Sequence, residues 1–275
     1  KKNKLIMLRA FFLTSLALFS LTSFAQDDLL NMLEEEVKEE TTSEKVTATF
    51  KGKKLGSFGL ASNFSFYFAH HMSTIEGGMI CTNNNELYQI VRMLRSHGMT
   101  REMTDAKMKE RWNEENPSLS PDFIFAYPAF NARGTEIGGV LGRSQLKRLD
   151  SNNEIRRANL ITFIENLDTE KFRTDFDLEG SCNYAFPLVL RKADIEFRDR
   201  LEAVMRENNI EFRRGSSGGG SQLRQPYLKQ ILPEINPEDY PEVEHIHFFG
   251  YYIGNYPTLS TERIIKLCNF LNSVE

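Results

Sequence analysis

The sequence predicts an α/β protein of two domains behind an N-terminal head of different character. Three observations predict it. From about Thr47 onward, short apolar runs of strand length alternate with longer runs whose apolar residues recur at helical spacing. The composition, 40% hydrophobic and 26% charged, has the balance of a folded globular chain and excludes wholesale disorder or a collagen-like repeat. The 275 residues hold one large or two modest domains. The expected divisions are a head at 1–25, an acidic tether at 26–46, a first α/β part at 47–150 and a second at 151–275.

The head carries Lys1, Lys2, Lys4 and Arg9, then the uncharged, largely apolar run Ala10–Phe24, then Ser23-Phe24-Ala25 before Gln26. This is the order of a secretory signal peptide. A buried N-terminal helix is the alternative, and the run is too short to predict a stable membrane span. Residues 27–45 are acidic, with Leu29, Leu30, Met32, Leu33 and Val37 near helical spacing, and read as an exposed helix or tether. Next come two expected buried strands, Phe64–Phe68 and Gly78–Thr82. Asn84–His97 reads as an amphipathic helix with Leu87, Ile90, Val91 and Leu94 on one face. Thr100–Asp122 reads as a polar surface excursion containing Pro117 and Pro121.

Thr135–Leu149 and Asn152–Leu167 read as two helices, the second capped by Ser151 or Asn152. Tyr184–Leu190 is an expected strand, Asp194–Asn208 a helix capped by Asp194, and Ile210–Arg213 another strand. Thr261–Asn272 is a closing helix capped by Ser260. Gly215–Ser221 is either a flexible linker or a loop whose backbone can approach an anion.

Charge and cysteines narrow the function. With 34 basic and 38 acidic residues the net charge is −4, too little positive field for a nucleic-acid partner. The three cysteines, Cys81, Cys182 and Cys268, make neither a disulfide scaffold nor a zinc ribbon. His245-x-His247 beside Glu242 and Glu244 offers too few alternating ligands for a metal site, so none is expected.

The chemistry-bearing stretch is Ser65 to Gly78. Hydroxyl residues, the pair His70-His71, Ser73-Thr74 and Glu76-Gly77-Gly78 follow a strand end, where ligands of open α/β sheets commonly sit. In a strand the two histidines would face opposite ways, one to a ligand and one to packing.

This stretch resembles the DegT/DnrJ/EryC1/StrS family of pyridoxal-phosphate enzymes acting on nucleotide-linked sugars. The matching residues are Ser65-Phe66, Ser73-Thr74, Glu76-Gly77-Gly78, the turn Leu94-Arg95-Ser96-His97-Gly98, and Phe130-Asn131-Ala132-Arg133-Gly134-Thr135-Glu136 with Gln145 and Leu149. The resemblance runs from about residue 47 to the end. It implies a partial fold-type I architecture: 47–150 as the back part of the large cofactor domain and 151–275 as the small α/β domain. Such an enzyme needs roughly 300 residues or more, so an N-terminally truncated or fused reading frame is expected. The resemblance also implies a cytoplasmic enzyme part, in conflict with the signal-like head.

One departure selects the branch. The family's cofactor-linked lysine falls at position 70, where this chain has His70. A lysine amine forms an imine with the cofactor aldehyde and an imidazole cannot. His-His-x-[Ser/Thr] is similar to the sugar 3-dehydratase branch, acting on GDP- or CDP-linked 4-keto-6-deoxy sugars. There the histidine is the general acid/base, a role suited to a side chain that titrates near neutrality. Arg213, Arg214, Gly215, Gln222–Tyr227 and Tyr256-Pro257-Thr258-Leu259 also fit the branch. With no cysteine in 83–181, a cluster-dependent subgroup is disfavoured.

The resemblance thus implies His70 as acid/base and Ser65 as a donor to the cofactor phosphate. It also implies Asn131 as a donor to the neighbouring subunit's phosphate, and Arg133 and Arg224 as contacts to the nucleotide sugar. For Arg133 a surface ion pair is the alternative. The implied cofactors are pyridoxal 5'-phosphate and pyridoxamine 5'-phosphate, the amino donor glutamate, and the assembly a homodimer. The competing reading is a non-catalytic fragment, or an aminotransferase-like binding protein. No residue matches the family's carboxylate for the pyridine nitrogen.

Overall fold

Polar caps decide where most helices begin. In the computed structural model, which describes residues 48–215 and 219–275, Asn84 accepts the Leu87 N–H at 2.8 Å and starts α1, Asn85–Leu94. Asp105 accepts from Met108 and starts α2, Ala106–Glu115. Asp194 starts α4, Ile195–Glu207, and Ser260 starts α7, Thr261–Asn272. Each cap satisfies one of the N–H groups that a helix leaves unpaired. The signal-like segment 1–25 and the tether 26–46 lie outside the described residues. Among those described, no helix is long and apolar enough to cross a membrane.

The chain divides into two units. The first holds Gly56–Arg148, and the second holds Leu149–Glu275 with the strand pair at 48–55. In the first, β3 (Ala61–Ser65) pairs antiparallel with β4 (Gly78–Thr82), Ser65 lying opposite Gly78. The strand expected at Phe64–Phe68 therefore ends at Ser65, whose Oγ accepts the Tyr67 N–H at 3.4 Å and gives the backbone a turn in place of a ladder. Both strands are largely exposed, not buried as the apolar pattern predicts. The polar excursion after Thr100 contains α2 and two short 3-10 turns at Thr100–Glu102 and Pro121–Phe123. Buried Gln89 joins α1 to it. Its amide accepts from the Thr104 and Asp105 N–H groups and donates to Asn85 and Thr104.

The two helices expected across 135–167 are one: α3, Glu136–Glu165. Ser151 and Asn152 lower helix propensity by only about 0.5 kcal/mol each, and the buried Asn153, Arg156, Asn159 and Leu160 keep the chain helical through them.

In the second unit, β1 (Thr49–Phe50) and β2 (Lys53–Lys54) form a small hairpin. The main sheet has the order β5-β7-β6, with β5 at Ala185–Val189, β6 at Phe212–Arg214 and β7 at Gly250–Gly254. Both outer strands are antiparallel to β7. The expected strand–helix–strand unit (β5, α4, β6) is thus split by a third strand that the sequence reading does not assign. Pro187 sits on an edge strand, where its missing N–H costs no ladder bond. Phe186 and Leu188 face the same side as their partners Ile253 and Tyr251, and Phe163 stacks on Phe186 at 4.4 Å. Leu201 and Met205 of α4 and Ile264, Cys268 and Leu271 of α7 complete this core. Two helices the sequence reading passes over, α5 (Pro226–Ile231) and α6 (Pro241–Phe249), both begin with proline at the first turn.

Candidate active site

His70 lies in a turn closed from both ends. Beyond β3, the Phe66 N–H donates to Gly77 O and the Thr74 N–H to Phe66 O, each at 2.9 Å, so residues 66–77 form a clamped loop. Inside it the His70 N–H donates to Tyr67 O at 3.0 Å, and the Tyr67 and His70 rings meet edge-on with centroids 5.7 Å apart. The His70–His71 pair therefore sits in a turn, and strand alternation does not set which way each histidine faces.

Residue choice at the end of the loop is tight. Gly77 has φ +150°, and a Cβ there would come within 2.7 Å of the Thr74 hydroxyl. Ile75 adopts φ +75°. For a β-branched residue this conformation is strained by about 1–3 kcal/mol, and such strain gathers at functional loops. The Ser73 Oγ accepts the Ile75 N–H at 3.1 Å and the Thr74 hydroxyl donates to Glu76 O at 2.9 Å, holding the strained residue in place. α3 approaches through glycine: a Cβ on Gly142 would touch Thr74 Cγ2 at 3.4 Å.

Asn131 and Arg133 belong to the same unit. Ser96 and Asn131 form an isolated antiparallel bridge, the His97 N–H donates to Phe130 O at 2.9 Å, and the Ala132 N–H donates to Arg95 O at 2.8 Å. This fastens residues 130–132 to the C-terminal turn of α1. Gly98 finishes that turn at φ +77°, and a Cβ there would fall on the Tyr127 carbonyl. The Asn131 Oδ1 accepts from the Arg133 backbone N–H and from its Nε at 3.1 Å. Ser65 is exposed and His70 half-buried.

Arg224 lies in the second unit with a partner the sequence reading misses. Its Nε and Nη2 both bond the Glu244 carboxylate, and its guanidinium lies 4.9 Å from the Phe248 ring centroid. The pairing raises the Arg224 pKa and lowers that of Glu244. One turn along α6, His247 Nδ1 accepts the Ser221 N–H at 3.1 Å. Gly220, at φ +86°, leaves the space this ring needs, since a Cβ there would fall on Nδ1. The end of the glycine tract is thus anchored to α6 twice, through Ser221 and Arg224. Residues 216–218 of that tract lie outside the described residues. Burial, then the nearby Arg224 charge, lowers the His247 pKa. The spacing of Arg224 and Glu244, twenty residues apart, gives no local signal of their pairing.

The candidate metal ligands disperse to separate partners. His245 Nε2 meets Leu190 O at 2.6 Å, Arg173 takes Glu242 at 3.2 Å, and Glu244 and His247 serve the loop anchor.

The profile of the DegT/DnrJ/EryC1/StrS aminotransferase family matches residues 40–272. The chain belongs to that family. Its curated relatives within the family include the GDP-4-keto-6-deoxy-D-mannose 3-dehydratase of Yersinia pseudotuberculosis, 30% identical over 233 residues, which cover 84% of this chain and 58% of that protein. The enzyme of the same name from Escherichia coli O55:H7 is 28% identical, over 79% of this chain and 55% of the relative. Among solved structures, a GDP-4-keto-6-deoxymannose-3-dehydratase with a trapped PLP-glutamate geminal diamine superposes with a TM-score of 0.66 at 26% identity. That match covers 82% of this chain and 57% of the other. The α/β fold is therefore the family's, and the chain spans somewhat over half the length of the curated relatives it matches.

The donor set fits part of the pyridoxal phosphate that the solved structure contains. Ser65 and Asn131 offer a hydroxyl and an amide suited to a phosphate ester, and His70, five residues after Ser65, offers a proton carrier. A carboxylate for a pyridine nitrogen is a different matter, since residues 61–82 hold one acid, Glu76, and it lies in the turn after His70.

Proposed function

We propose that this chain supplies the proton-transfer loop and phosphate donors of a 3-dehydratase. Its substrate is a nucleotide-linked 4-keto-6-deoxy sugar, with GDP or CDP as the nucleotide. The observation that carries the reading is a histidine at position 70, within a clamped loop, in a family whose aminotransferases place a lysine there. Pyridoxamine phosphate, when bound, supplies an amine for the sugar's keto carbon and a ring that draws off electron density. Ser65 and Asn131 would hold its phosphate, Asn131 reaching across a homodimer to the neighbouring site. His70 would accept the proton given up at the carbon that bears the cofactor's amine and pass it to the C3 hydroxyl, which leaves as water. The residue next to the cofactor then cannot bond to it covalently, and glutamate serves as amino donor. Arg224, whose guanidinium is held by Glu244, would be the contact to the nucleotide sugar.

The test is incubation of the purified chain with pyridoxal phosphate and then glutamate. Cofactor retained through gel filtration, with an absorbance change on adding glutamate, is the expected result. Absence of any retained cofactor overturns the reading for this chain. In His70→Lys, borohydride should fix the cofactor to residue 70, as read by peptide mass; retained cofactor with no such adduct overturns the assignment of position 70.

A further inference from the structure

The polarity of the Asn131–Arg133 pair is dictated by chemistry. A guanidinium and a backbone amide have only donors, so the Asn131 atom facing them is its oxygen. The Asn131 –NH2 group is therefore turned the other way, with two N–H donors and no hydrogen-bond partner among the described residues. Its backbone is fixed by the bridge to Ser96 and the bonds from His97 and Ala132. An exposed asparagine would normally present oxygen and nitrogen with equal ease by rotating about its last torsion. Here that freedom is already spent, which lowers the ordering cost of taking up a ligand.

We infer that Arg133 is a positioning residue, holding Asn131 so that only N–H donors meet the ligand, and that the ligand group is an anionic phosphate-ester oxygen. Arg133 acts through Asn131, and its charge reinforces the preference for an anion. The inference rests on the cofactor reading above for the identity of the phosphate, while the donor-only geometry is a property of the pair itself. Asn131→Asp would keep the contact to Arg133 and turn an acceptor outward, repelling a phosphate.

The experiment follows the Asn131 side-chain amide by NMR in the ¹⁵N-labelled full chain during titration with inorganic phosphate, pyridoxal phosphate and unphosphorylated pyridoxal. In the wild type the pair of amide proton signals should shift with the two phosphates and stay still with pyridoxal. Arg133→Met should weaken phosphate binding by about tenfold, the scale of one charge-assisted hydrogen bond, with backbone signals elsewhere unchanged. Arg133→Lys should recover part of that loss, and Asn131→Asp should abolish binding. Wild-type signals that do not move with phosphate overturn the inference, as does Arg133→Met binding phosphate like the wild type. A response to inorganic phosphate with no retention of pyridoxal phosphate supports the donor geometry and overturns the dehydratase reading. Retained cofactor with a still Asn131 does the reverse.

Discussion

The two units stabilise themselves by different means. In the second, seventeen buried apolar residues from α3, α4, α6, α7, the three-stranded sheet and the segments joining them form one continuous core, with Phe163, Phe172, Phe186 and Tyr251 fully enclosed. In the first, the β3–β4 hairpin leaves Phe64, Met79 and Ile80 exposed, Ile80 at 49%. The order there resides in backbone positions: Gly77, Gly78 and Gly98, the clamp from Phe66, and the bridge between Ser96 and Asn131. An isolated two-stranded hairpin is marginal in water, so the conformation of the His70 loop depends on turn chemistry more than on burial. The lesson is that sensitivity to mutation should differ in kind between the units.

The largest test of this contrast pairs Phe186→Ala with Ile80→Ser. Phe186→Ala should cost about 3–5 kcal/mol through lost burial and a residual cavity, while Ile80→Ser should fall within about 0.5 kcal/mol. Urea denaturation followed by circular dichroism measures both; equal losses would abolish the distinction. Next in size is Gly98→Ala, in the unit without the large core. A methyl group there meets the Tyr127 carbonyl at a positive φ, and a loss of about 2–4 kcal/mol is expected, read as a lowered first transition in thermal unfolding. An unchanged transition would mean the first unit does not depend on its glycine turns.

The smallest effect is a pH dependence confined to the second unit. Burial depresses the His247 pKa below its ordinary 6.5, so the folded chain prefers the neutral ring that accepts from Ser221. The unfolded chain then binds more protons below pH 6.5. The stabilisation from His247 is complete above that value and is lost as the pH falls through the depressed folded value. The charges facing the ring belong to Arg224, Arg214 and Glu244, of which Glu244 opposes the shift. Wild type and His247→Gln compared at pH 8 and pH 5 should differ more at pH 8; a difference that grows at pH 5 would reverse the assignment.

How much of this was legible in the sequence depends on whether the signal was local. Asp194 and Ser260 cap the helices the sequence assigns to them, because a cap is a short-range hydrogen bond. The strand Ala185–Val189 was legible from its apolar run. β7 is not: five residues that begin and end with glycine, abutting α6 without a turn, look like the end of a helix. The single α3 looks like two helices in sequence because Ser151 and Asn152 resemble a cap, and only burial downstream tells otherwise. At the candidate site, the resemblance to the family is what names Ser65, His70, Asn131 and Arg133, and their roles rest on it. The Arg224–Glu244 pair, twenty residues apart, follows only from three-dimensional placement, whereas the contact of Arg133 with Asn131 is local. The buried strands expected around His70 proved exposed, since periodicity reports apolarity and not what covers it.

The position of β7 at the centre of its sheet bears on how the chain is made. β5 and β6 do not pair with each other; each waits for Gly250–Gly254, which is synthesised after both. Until then a nascent chain carries two strands with bare edges and a half-built core, the form in which strands most readily pair with the wrong neighbour. The sheet closes by insertion in the middle, and so the arrival of β7 decides when the second unit stops being a hazard to itself.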